Sequence, residues 1–247
     1  ETGGQNVLVS DSSALPEQVV ADVLSSAFDS AGQRCSALRI LLLQEDVADH
    51  YYKMITEAIN EFSLGDPRLL STDIGPVIDQ EAKQNLENHK VNMRKVARAY
   101  VELEAPTNGH FVAPAVYLLD NLNQLQREVF GPILHIVRYK KENLVNVLNE
   151  VNAKGYALTG GCHSRIRKQM DLVEKHLHCG NFYINRNIVG AVVGVQPFGG
   201  HGLSGTGPKA GGEFYLQRLT KTDRYYSQFG DENSLGNAQP VLDSITG

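Results

Sequence analysis

The chain alternates short apolar runs with longer amphipathic stretches. Residues 7–9 are all apolar and predict a short buried strand. Pro16 suits the first position of a helix, and apolar residues from 19 to 28 recur at helical spacing. Residues 38–43 are apolar except for Arg39, which predicts a second strand buried on both faces. The opening of the chain therefore predicts a strand, a helix and a further strand.

The remainder of the chain repeats this alternation. Asp79 is placed as the N-cap of a charged helix, and Gly155 and Gly180 follow helical stretches that they can end. Residues 185–212 are rich in glycine and predict loops. Alternating strands and helices favour an α/β fold, a three-layer α/β/α arrangement with a mostly parallel sheet. The further predicted strands span residues 112–119, 133–137, 156–162 and 182–184, and the further predicted helices span residues 47–62, 79–99, 144–151 and 164–177.

Composition narrows the class of protein. The 247 residues are 42% hydrophobic and 21% charged, with a formal net charge of −5, as in an ordinary soluble globular protein. The acidic balance and the lack of a basic run argue against nucleic acid as a partner. No apolar run approaches the roughly 18 residues that span a bilayer, and no signal peptide opens the chain. Three cysteines without a CxxC spacing indicate reduced thiols and a cytoplasmic location.

The stretch from 32 to 37, Gly-Gln-Arg-Cys-Ser-Ala, holds the first candidate for chemistry. Cys35 follows the predicted helix and has small and polar neighbours, whereas a structural cysteine is usually surrounded by apolar residues. The cation at Arg34 and the N–H groups of a turn would lower the thiol pKa and favour the reactive thiolate. A small buried residue in a helix-to-strand turn fits the same composition equally well, so both interpretations stay open.

The start of the chain supplies a candidate catalytic carboxylate, Glu1. Residues 1–6 read Glu-Thr-Gly-Gly-Gln-Asn and lead directly into the first predicted strand. Because the helix runs back across that strand, it returns Cys35 to the end of the sheet where Glu1 lies. A thiol and a carboxylate brought together in this way can act as nucleophile and general base.

Two later stretches complete a set of four ordered motifs: Glu-Val-Phe-Gly-Pro at residues 128–132, and Gln-Pro-Phe-Gly-Gly at residues 196–200 with Ser-Gly following. Together with the two earlier motifs they resemble the aldehyde dehydrogenase superfamily. They are most similar to the L-glutamate γ-semialdehyde dehydrogenase part of bifunctional bacterial enzymes of proline catabolism. The resemblance implies a thiol-bearing catalytic domain over residues 1–222 and a truncated polar linker or arm over residues 223–247.

The resemblance also implies an activity, the NAD-dependent oxidation of L-glutamate γ-semialdehyde to L-glutamate. Cys35 would attack the aldehyde to form a thiohemiacetal, hydride transfer to NAD⁺ would leave a thioester, and Glu1 would activate the hydrolytic water. Glu128 and Phe130 would contact the nicotinamide side of the cofactor. The backbone N–H of Cys35 would form one arm of an oxyanion hole, and in the family an upstream asparagine forms the other.

The catalytic-type motif at residue 1, where a natural protein would begin with methionine, predicts a fragment of a longer chain. The resemblance places a Rossmann NAD-binding domain and a proline dehydrogenase domain upstream, with FAD bound only in the latter. Residues 1–247 alone are therefore expected to be inactive. The resemblance is also compatible with a homo-oligomer and with peripheral association of the full-length enzyme with the inner membrane.

The α-carboxylate of such a substrate needs a separate anchor. The loop of residues 187–194 offers no positive side chain, so backbone N–H groups around a glycine would have to bind it. The resemblance places this anchor at Gly190 and Ala191, with the Ser36 hydroxyl as a further donor and Phe198 packed on the aliphatic stem. A plain turn between a strand and a glycine-rich loop fits the same residues.

Two other patterns carry little weight. Residues 200–205 match GxGxxG with Asp223 about twenty residues on, but that dinucleotide fingerprint needs a strand immediately before it. A tight loop whose backbone approaches a ligand closely fits these glycines better. No metal is expected, because no standard zinc spacing fits the set of Cys162, His163, His176, His178 and Cys179.

Two alternatives from other functional classes remain. One is a non-catalytic scaffold or assembly domain. The other is a cysteine hydrolase that pairs Cys35 with one of the eight histidines, although none of them has a motif context that recommends it.

Overall fold

The computed structural model describes residues 3–220 and arranges them as a seven-stranded sheet with helices packed against it. The strands are β1 (Asn6–Ser10), β2 (Leu38–Gln44), β3 (Ala99–Glu102), β4 (Ala115–Leu119), β5 (Ile133–Tyr139), β6 (Tyr156–Ala157), β7 (Thr159–His163), β8 (Asn181–Ile184) and β9 (His201–Gly202). The helices are α1 (Pro16–Phe28), α2 (Glu45–Ile59), α3 (Gln80–Val96), α4 (Leu144–Asn152), α5 (Arg167–His176) and α6 (Tyr215–Leu219).

The sheet has the order β3-β4-β5-β2-β1-β7-β8, and each neighbouring pair is parallel except β3 with β4. Helices α1 and α2 pack on each other and on β2, whereas α4 packs on α5 and α5 on β7. The connection from β1 to β2 runs toward the β3 edge of the sheet, whereas the connection from β5 to β7 runs toward the β8 edge. Right-handed crossovers then put these two helix pairs on opposite faces. The predicted α/β architecture with a mostly parallel sheet is confirmed.

The central strand β2 is buried at all seven positions, as its apolar run predicts. Apolar residues of α1 and α2, including Val23 and Ile55, pack into the same core. Asp79 is the N-cap of α3, because its side chain accepts a hydrogen bond of 2.8 Å from the Ala82 N–H. None of the helices within residues 3–220 has the length and apolar character needed to cross a membrane.

Several predicted boundaries were wrong: for example, β4 begins at Ala115 rather than residue 112, and α5 begins at Arg167 rather than residue 164. Two of the differences involve strand pairing. The α3 helix ends at Val96 rather than residue 99, and Ala99–Glu102 forms the antiparallel edge strand, whose Glu102 pairs back with Arg94 of the helix at 2.6 Å. The single strand predicted for residues 156–162 is divided after Ala157, because β6 pairs with β9 while β7 joins the main sheet. Local pattern does not reveal these pairings, since each partner is distant in sequence.

The parallel strands place several chain segments at one edge of the sheet. Strands β1, β2, β5, β7 and β8 all begin there, and this amino edge receives the chain where α1 ends. Cys35 lies three residues before β2 and therefore belongs to this edge. The predicted linker over residues 223–247 lies outside the described residues.

Candidate active site

A left-handed turn delivers Cys35 to the amino edge. Ser30, Ala31 and Gly32 have φ angles of 56°, 53° and 63°, a conformation that favours glycine. A Cβ on Gly32 would lie 2.2 Å from the carbonyl oxygen of Gly131, so only glycine permits this approach. The turn therefore brings the thiol segment (residues 34–37) against the 128–131 loop that precedes β5.

Side chains from neighbouring strands hold the carbonyl groups of the thiol segment. The Asn6 side-chain amide donates to the carbonyls of Cys35 at 2.7 Å and Ala37 at 2.8 Å. Its Oδ1 accepts from the Thr159 N–H at 3.0 Å, and the Thr159 hydroxyl donates to the Ser36 carbonyl at 3.1 Å. Asn6 is 2% exposed, so these are buried hydrogen bonds. The starts of β1, β2 and β7 are thereby tied to the nucleophile candidate.

Arg39 connects the thiol segment to the 128–131 loop. Its side chain is fully buried, and Nη1 donates to the Gly131 carbonyl at 3.0 Å. Nη2 donates to the Arg34 carbonyl at 3.2 Å and lies 3.7 Å from Oε1 of Glu128. The guanidinium carbon lies 5.3 Å from the centre of the Phe130 ring, within cation–π range. One side chain therefore contacts both segments that the motifs single out.

The charge of Arg39 acts on its neighbours. Burial lowers the pKa of Arg39 to about 10, while the negative charges of Glu128 and of the Cys35 thiolate act in the opposite direction. Because an electrostatic interaction is mutual, Arg39 favours the thiolate form of Cys35. The sequence suggested Arg34 as the neighbouring cation, whereas the Arg34 side chain donates to the Ser30 hydroxyl at 3.1 Å. The role of Arg39 was missed, and its one local signal was a cation inside an apolar run.

The Glu128 carboxylate is directed into the protein. Burial raises the pKa of Glu128, while a hydrogen bond from the Gly4 N–H and the charge of Arg39 oppose that rise. The Oε1 atom is buried and has no hydrogen-bond partner among residues 3–220. Phe130 differs, because 45% of its surface is exposed. Glu128 therefore has a buried oxygen that faces the Arg39 charge at 3.7 Å without a hydrogen bond among residues 3–220, and Phe130 presents an accessible ring.

The first motif lies directly against the 128–131 loop. Gly3 has a φ of 48°, and a Cβ there would lie 2.1 Å from Oε2 of Glu128. The glycine pair thus lets the start of the chain approach that carboxylate. Glu1, the predicted general base, lies outside the described residues.

The other two cysteines have different surroundings. Cys162 is fully buried in β7, and burial raises the pKa of its thiol to about 12. Burial also raises the pKa of Cys179 to about 12. Cys35 is half-buried and lies near the Arg39 charge. Of the three thiols, Cys35 thus has the environment best suited to a nucleophile.

The predicted carboxylate anchor follows β8. The Ile188 N–H donates to the Ser26 hydroxyl at 3.1 Å, and Ser26 lies near the end of α1. The segment after β8 has therefore crossed back along α1 toward the amino edge. Gly190 is exposed with a φ of 73°, and Ala191 is half-buried. Their role in substrate binding stays a prediction.

The remaining two predicted substrate residues lie at different places on the amino edge. Ser36 is 6% exposed and adjoins the nucleophile candidate directly. Phe198 is half-buried and lines a cavity of about 450 Å³. This loop is held at the start of β8, where the Asn181 side chain donates to the Pro197 carbonyl at 2.9 Å. Ser36 thus accompanies Cys35, whereas Phe198 lies toward the β8 end.

The glycine-rich 200–205 stretch packs on the protein itself. His201–Gly202 pairs with Tyr156–Ala157, and a Cβ on Gly202 would lie 2.4 Å from the Gly155 carbonyl oxygen. The predicted tight loop exists, and its backbone closely approaches the chain's own backbone; its approach to a ligand stays a prediction.

The five-residue set of cysteines and histidines is dispersed. Nε2 of His163 lies 3.4 Å from Oδ2 of Asp22, and the His176 carbonyl accepts from the Asn152 side chain at 2.7 Å. Within residues 3–220, no group of three or more His, Cys, Asp or Glu side chains could hold a metal ion.

Comparison with known proteins identifies relatives for nearly the whole chain. Residues 1–224 match the model of the aldehyde dehydrogenase family. The chain is 56% identical over 227 residues to the bifunctional protein PutA of Escherichia coli strain K12, which covers 89% of this chain and 17% of that protein.

Solved structures reproduce the fold. A crystal structure of a single-residue mutant of proline utilization A (PutA) from Bradyrhizobium japonicum has a TM-score of 0.85 at 56% identity and covers 87% of this chain and 22% of that chain. A 1-pyrroline-5-carboxylate dehydrogenase from Thermus with bound NAD has a TM-score of 0.79 at 32% identity. The match covers 88% of this chain and 42% of that chain. The chain spans less than half the length of each of these three proteins.

The family model covers most of the chain, and the relatives share its sheet and helices. The chain belongs to the aldehyde dehydrogenase family.

Proposed function

We propose that this chain supplies the thiol-bearing part of a longer enzyme that oxidises L-glutamate γ-semialdehyde to L-glutamate with NAD⁺. One observation carries the proposal: the buried Arg39 joins the 128–131 loop to the segment that contains the half-buried Cys35, through hydrogen bonds to the carbonyls of Gly131 and Arg34. The names of its relatives support the substrate, since 1-pyrroline-5-carboxylate is the cyclic imine of that aldehyde.

In the proposed reaction, the Cys35 thiolate adds to the aldehyde carbon and the carbonyl oxygen becomes an oxyanion. The carbonyl groups of residues 34–37 are engaged by Arg39, Asn6 and Thr159, so these acceptors are turned away from the developing charge. The Cys35 N–H would be one donor to that oxyanion. The adduct would become a thioester by giving up its hydride to bound NAD⁺. Hydrolysis of that thioester by a water that Glu1 activates would release glutamate and regenerate the thiol.

Bound NAD⁺ would supply the hydride acceptor for this reaction. The residues present fit such a group, because Glu128 has a buried acceptor oxygen without a hydrogen-bond partner among residues 3–220. This oxygen could accept a hydrogen bond from a ribose hydroxyl. Phe130 would pack its accessible ring against the cofactor, while Arg39 lies 5.3 Å from the centre of that ring. The upstream NAD-binding and proline dehydrogenase domains would belong to the same long chain.

The test uses the full-length enzyme, with glutamate semialdehyde, NAD⁺ and the absorbance of NADH as the readout. Cys35→Ala should lower kcat by several orders of magnitude, because the covalent step is lost. Cys179→Ala is the matched control and should retain activity. Full activity in Cys35→Ala, or no NAD-dependent oxidation by the wild type, would contradict the proposal. Residues 1–247 alone should show no turnover.

The ring of His135, which hydrogen-bonds to the backbone of Arg39, does not favour the hydrolase alternative. Nδ1 of His135 lies 3.0 Å from the Arg39 carbonyl, and its Nε2 lies 2.9 Å from Nε2 of His89. Both ring nitrogens of His135 are therefore engaged, and this ring is not available as the base for Cys35.

A further inference from the structure

Arg39 is a buried cation in a strand whose apolar residues form part of the core. Its side chain is 0% exposed, and Nε has no hydrogen-bond partner among residues 3–220. A buried charge with incomplete pairing costs stability, and an apolar side chain of similar volume is often as stabilising or more so. The stability of the sheet therefore does not account for a guanidinium at this position.

The contacts of Arg39 join two segments that the motifs mark as functional. Nη1 binds the Gly131 carbonyl in the 128–131 loop, and Nη2 binds the Arg34 carbonyl in the thiol segment. A guanidinium holds its donors in a rigid planar fork, whereas a lysine ammonium is a single point of charge. Arg39 therefore fixes the spacing between the two segments in a way that lysine cannot reproduce.

The same guanidinium is the positive charge that two acidic groups share. Glu128 Oε1 lies 3.7 Å from Nη2, and the Cys35 thiolate interacts with Arg39 electrostatically. Phe130 covers the guanidinium on the side of the 128–131 loop, which keeps water from weakening these interactions.

We propose that Arg39 is a positioning residue of the dehydrogenase. Its guanidinium holds the thiol segment against the 128–131 loop and supplies the positive charge that favours the Cys35 thiolate. The part concerning the 128–131 loop rests on the proposed function, because only that function assigns the loop to NAD⁺. The effect on the thiolate is independent of the reaction.

The first measurement is the pH dependence of Cys35 alkylation by iodoacetamide in the full-length enzyme, resolved by peptide mass mapping. Arg39→Met removes the charge, so alkylation at neutral pH should be roughly tenfold slower, with its midpoint displaced to higher pH. Arg39→Lys keeps a charge and should keep the midpoint close to that of the wild type. Lys90→Met is the control, since Lys90 is another buried cation, paired with Glu102 at 3.4 Å.

The second measurement is kcat/KM for NAD⁺ in the same proteins. Arg39→Lys should lower kcat/KM for NAD⁺ by about tenfold or more, because small displacements of reacting groups are costly. Lys90→Met should be unchanged. An alkylation midpoint in Arg39→Met and a kcat/KM in Arg39→Lys that both match Lys90→Met would overturn the proposal.

The two variants also separate this proposal from the proposed function. If Arg39→Met does not fold, the kcat/KM of Arg39→Lys decides: a fall supports the proposal and an unchanged value overturns it. A displaced alkylation midpoint in an enzyme without NAD-dependent oxidation would reject the proposed function and retain the charge effect of Arg39.

Discussion

The Nε2 atoms of His89 and His135 lie 2.9 Å apart, with the two ring planes nearly perpendicular at 83°. Nδ1 of His135 faces the Arg39 carbonyl, which only accepts hydrogen bonds, so Nδ1 carries the hydrogen of the neutral ring. Nε2 of His135 is then the acceptor and Nε2 of His89 the donor. The pair thus links the backbone of Arg39 to the groove between α3 and the 128–131 loop, which His89 helps to line.

This histidine pair predicts a loss of local stability in acid. Burial lowers the pKa of His89 to about 4 and that of His135 to about 3, from an ordinary value of 6.5. Below about pH 6.5 the unfolded chain therefore binds protons that the folded protein does not, and stability falls as the pH falls. Between about pH 7.5 and pH 5 the loss should be about 2 kcal/mol for each histidine, or roughly 4 kcal/mol for the pair.

Hydrogen exchange of the β5 amides in the full-length protein, corrected for intrinsic rates, measures this loss. His135→Asn should remove about half of the pH dependence, because the amide can still donate to the Arg39 carbonyl without titrating while His89 still titrates. His50→Asn, at an exposed position on α2, should keep it. The same pH dependence in His135→Asn as in the wild type would show that His135 is not one of its sources.

Cys35 should be the most reactive of the three thiols. Burial raises the pKa of Cys162 and Cys179 to about 12, which leaves little thiolate at neutral pH. Limiting iodoacetamide followed by peptide mass mapping should therefore label Cys35 first, by about a hundredfold or more over the others. Preferential labelling of Cys162 or Cys179 would be the contrary result.

Asn6 should be required for the position of the nucleophile. Asn6→Ala leaves the carbonyls of Cys35 and Ala37 and the N–H of Thr159 without their buried partner. Each unpaired group costs about 1–3 kcal/mol, so the free energy of unfolding should fall by about 3 kcal/mol or more. The displaced thiol should also lower kcat about a hundredfold.

The control for Asn6 is Asn152→Ala, which removes two side-chain hydrogen bonds to the backbone, at His176 and His178. That variant should lose stability and keep its kcat when both are assayed below their melting temperatures. Equal losses of kcat in the two variants would mean that Asn6 acts only through stability.

Glu128 should contribute to NAD⁺ binding and should not be required for the labelling of the Cys35 thiol. Glu128→Ala removes the buried acceptor oxygen and should raise KM for NAD⁺ about tenfold, the effect of one charge-assisted hydrogen bond. Iodoacetamide should still label Cys35. Steady-state kinetics of the full-length enzyme measure the change, and unchanged kinetics would remove Glu128 from the cofactor assignment.

Ser36 should distinguish between aldehydes. If its hydroxyl donates to the α-carboxylate, Ser36→Ala should raise KM for glutamate semialdehyde about tenfold to a hundredfold and barely affect a simple aliphatic aldehyde. Thr159→Val is the matched control, because it releases the Ser36 carbonyl and should impair both aldehydes alike. An equal penalty for both aldehydes in Ser36→Ala would mean that Ser36 supports Cys35 and does not bind the carboxylate.

Local pattern was sufficient for much of the framework. The buried strand β2, the N-cap at Asp79 and the position of Cys35 between a helix and a strand follow from short-range periodicity and capping chemistry. The order of the four motifs was sufficient for the family. These features depend on residues close together in the chain, where the physical preference of each position acts directly.

The tertiary structure decided which side chains act together. Arg39 lies inside an apolar run, and only the order β5-β2-β1-β7 brings it to the Gly131 carbonyl, 92 residues away in sequence. The same order lets Asn6 join the starts of three strands. A buried cation or amide is satisfied by whichever backbone groups the sheet places within hydrogen-bond distance, and that choice depends on long-range strand pairing rather than on local sequence.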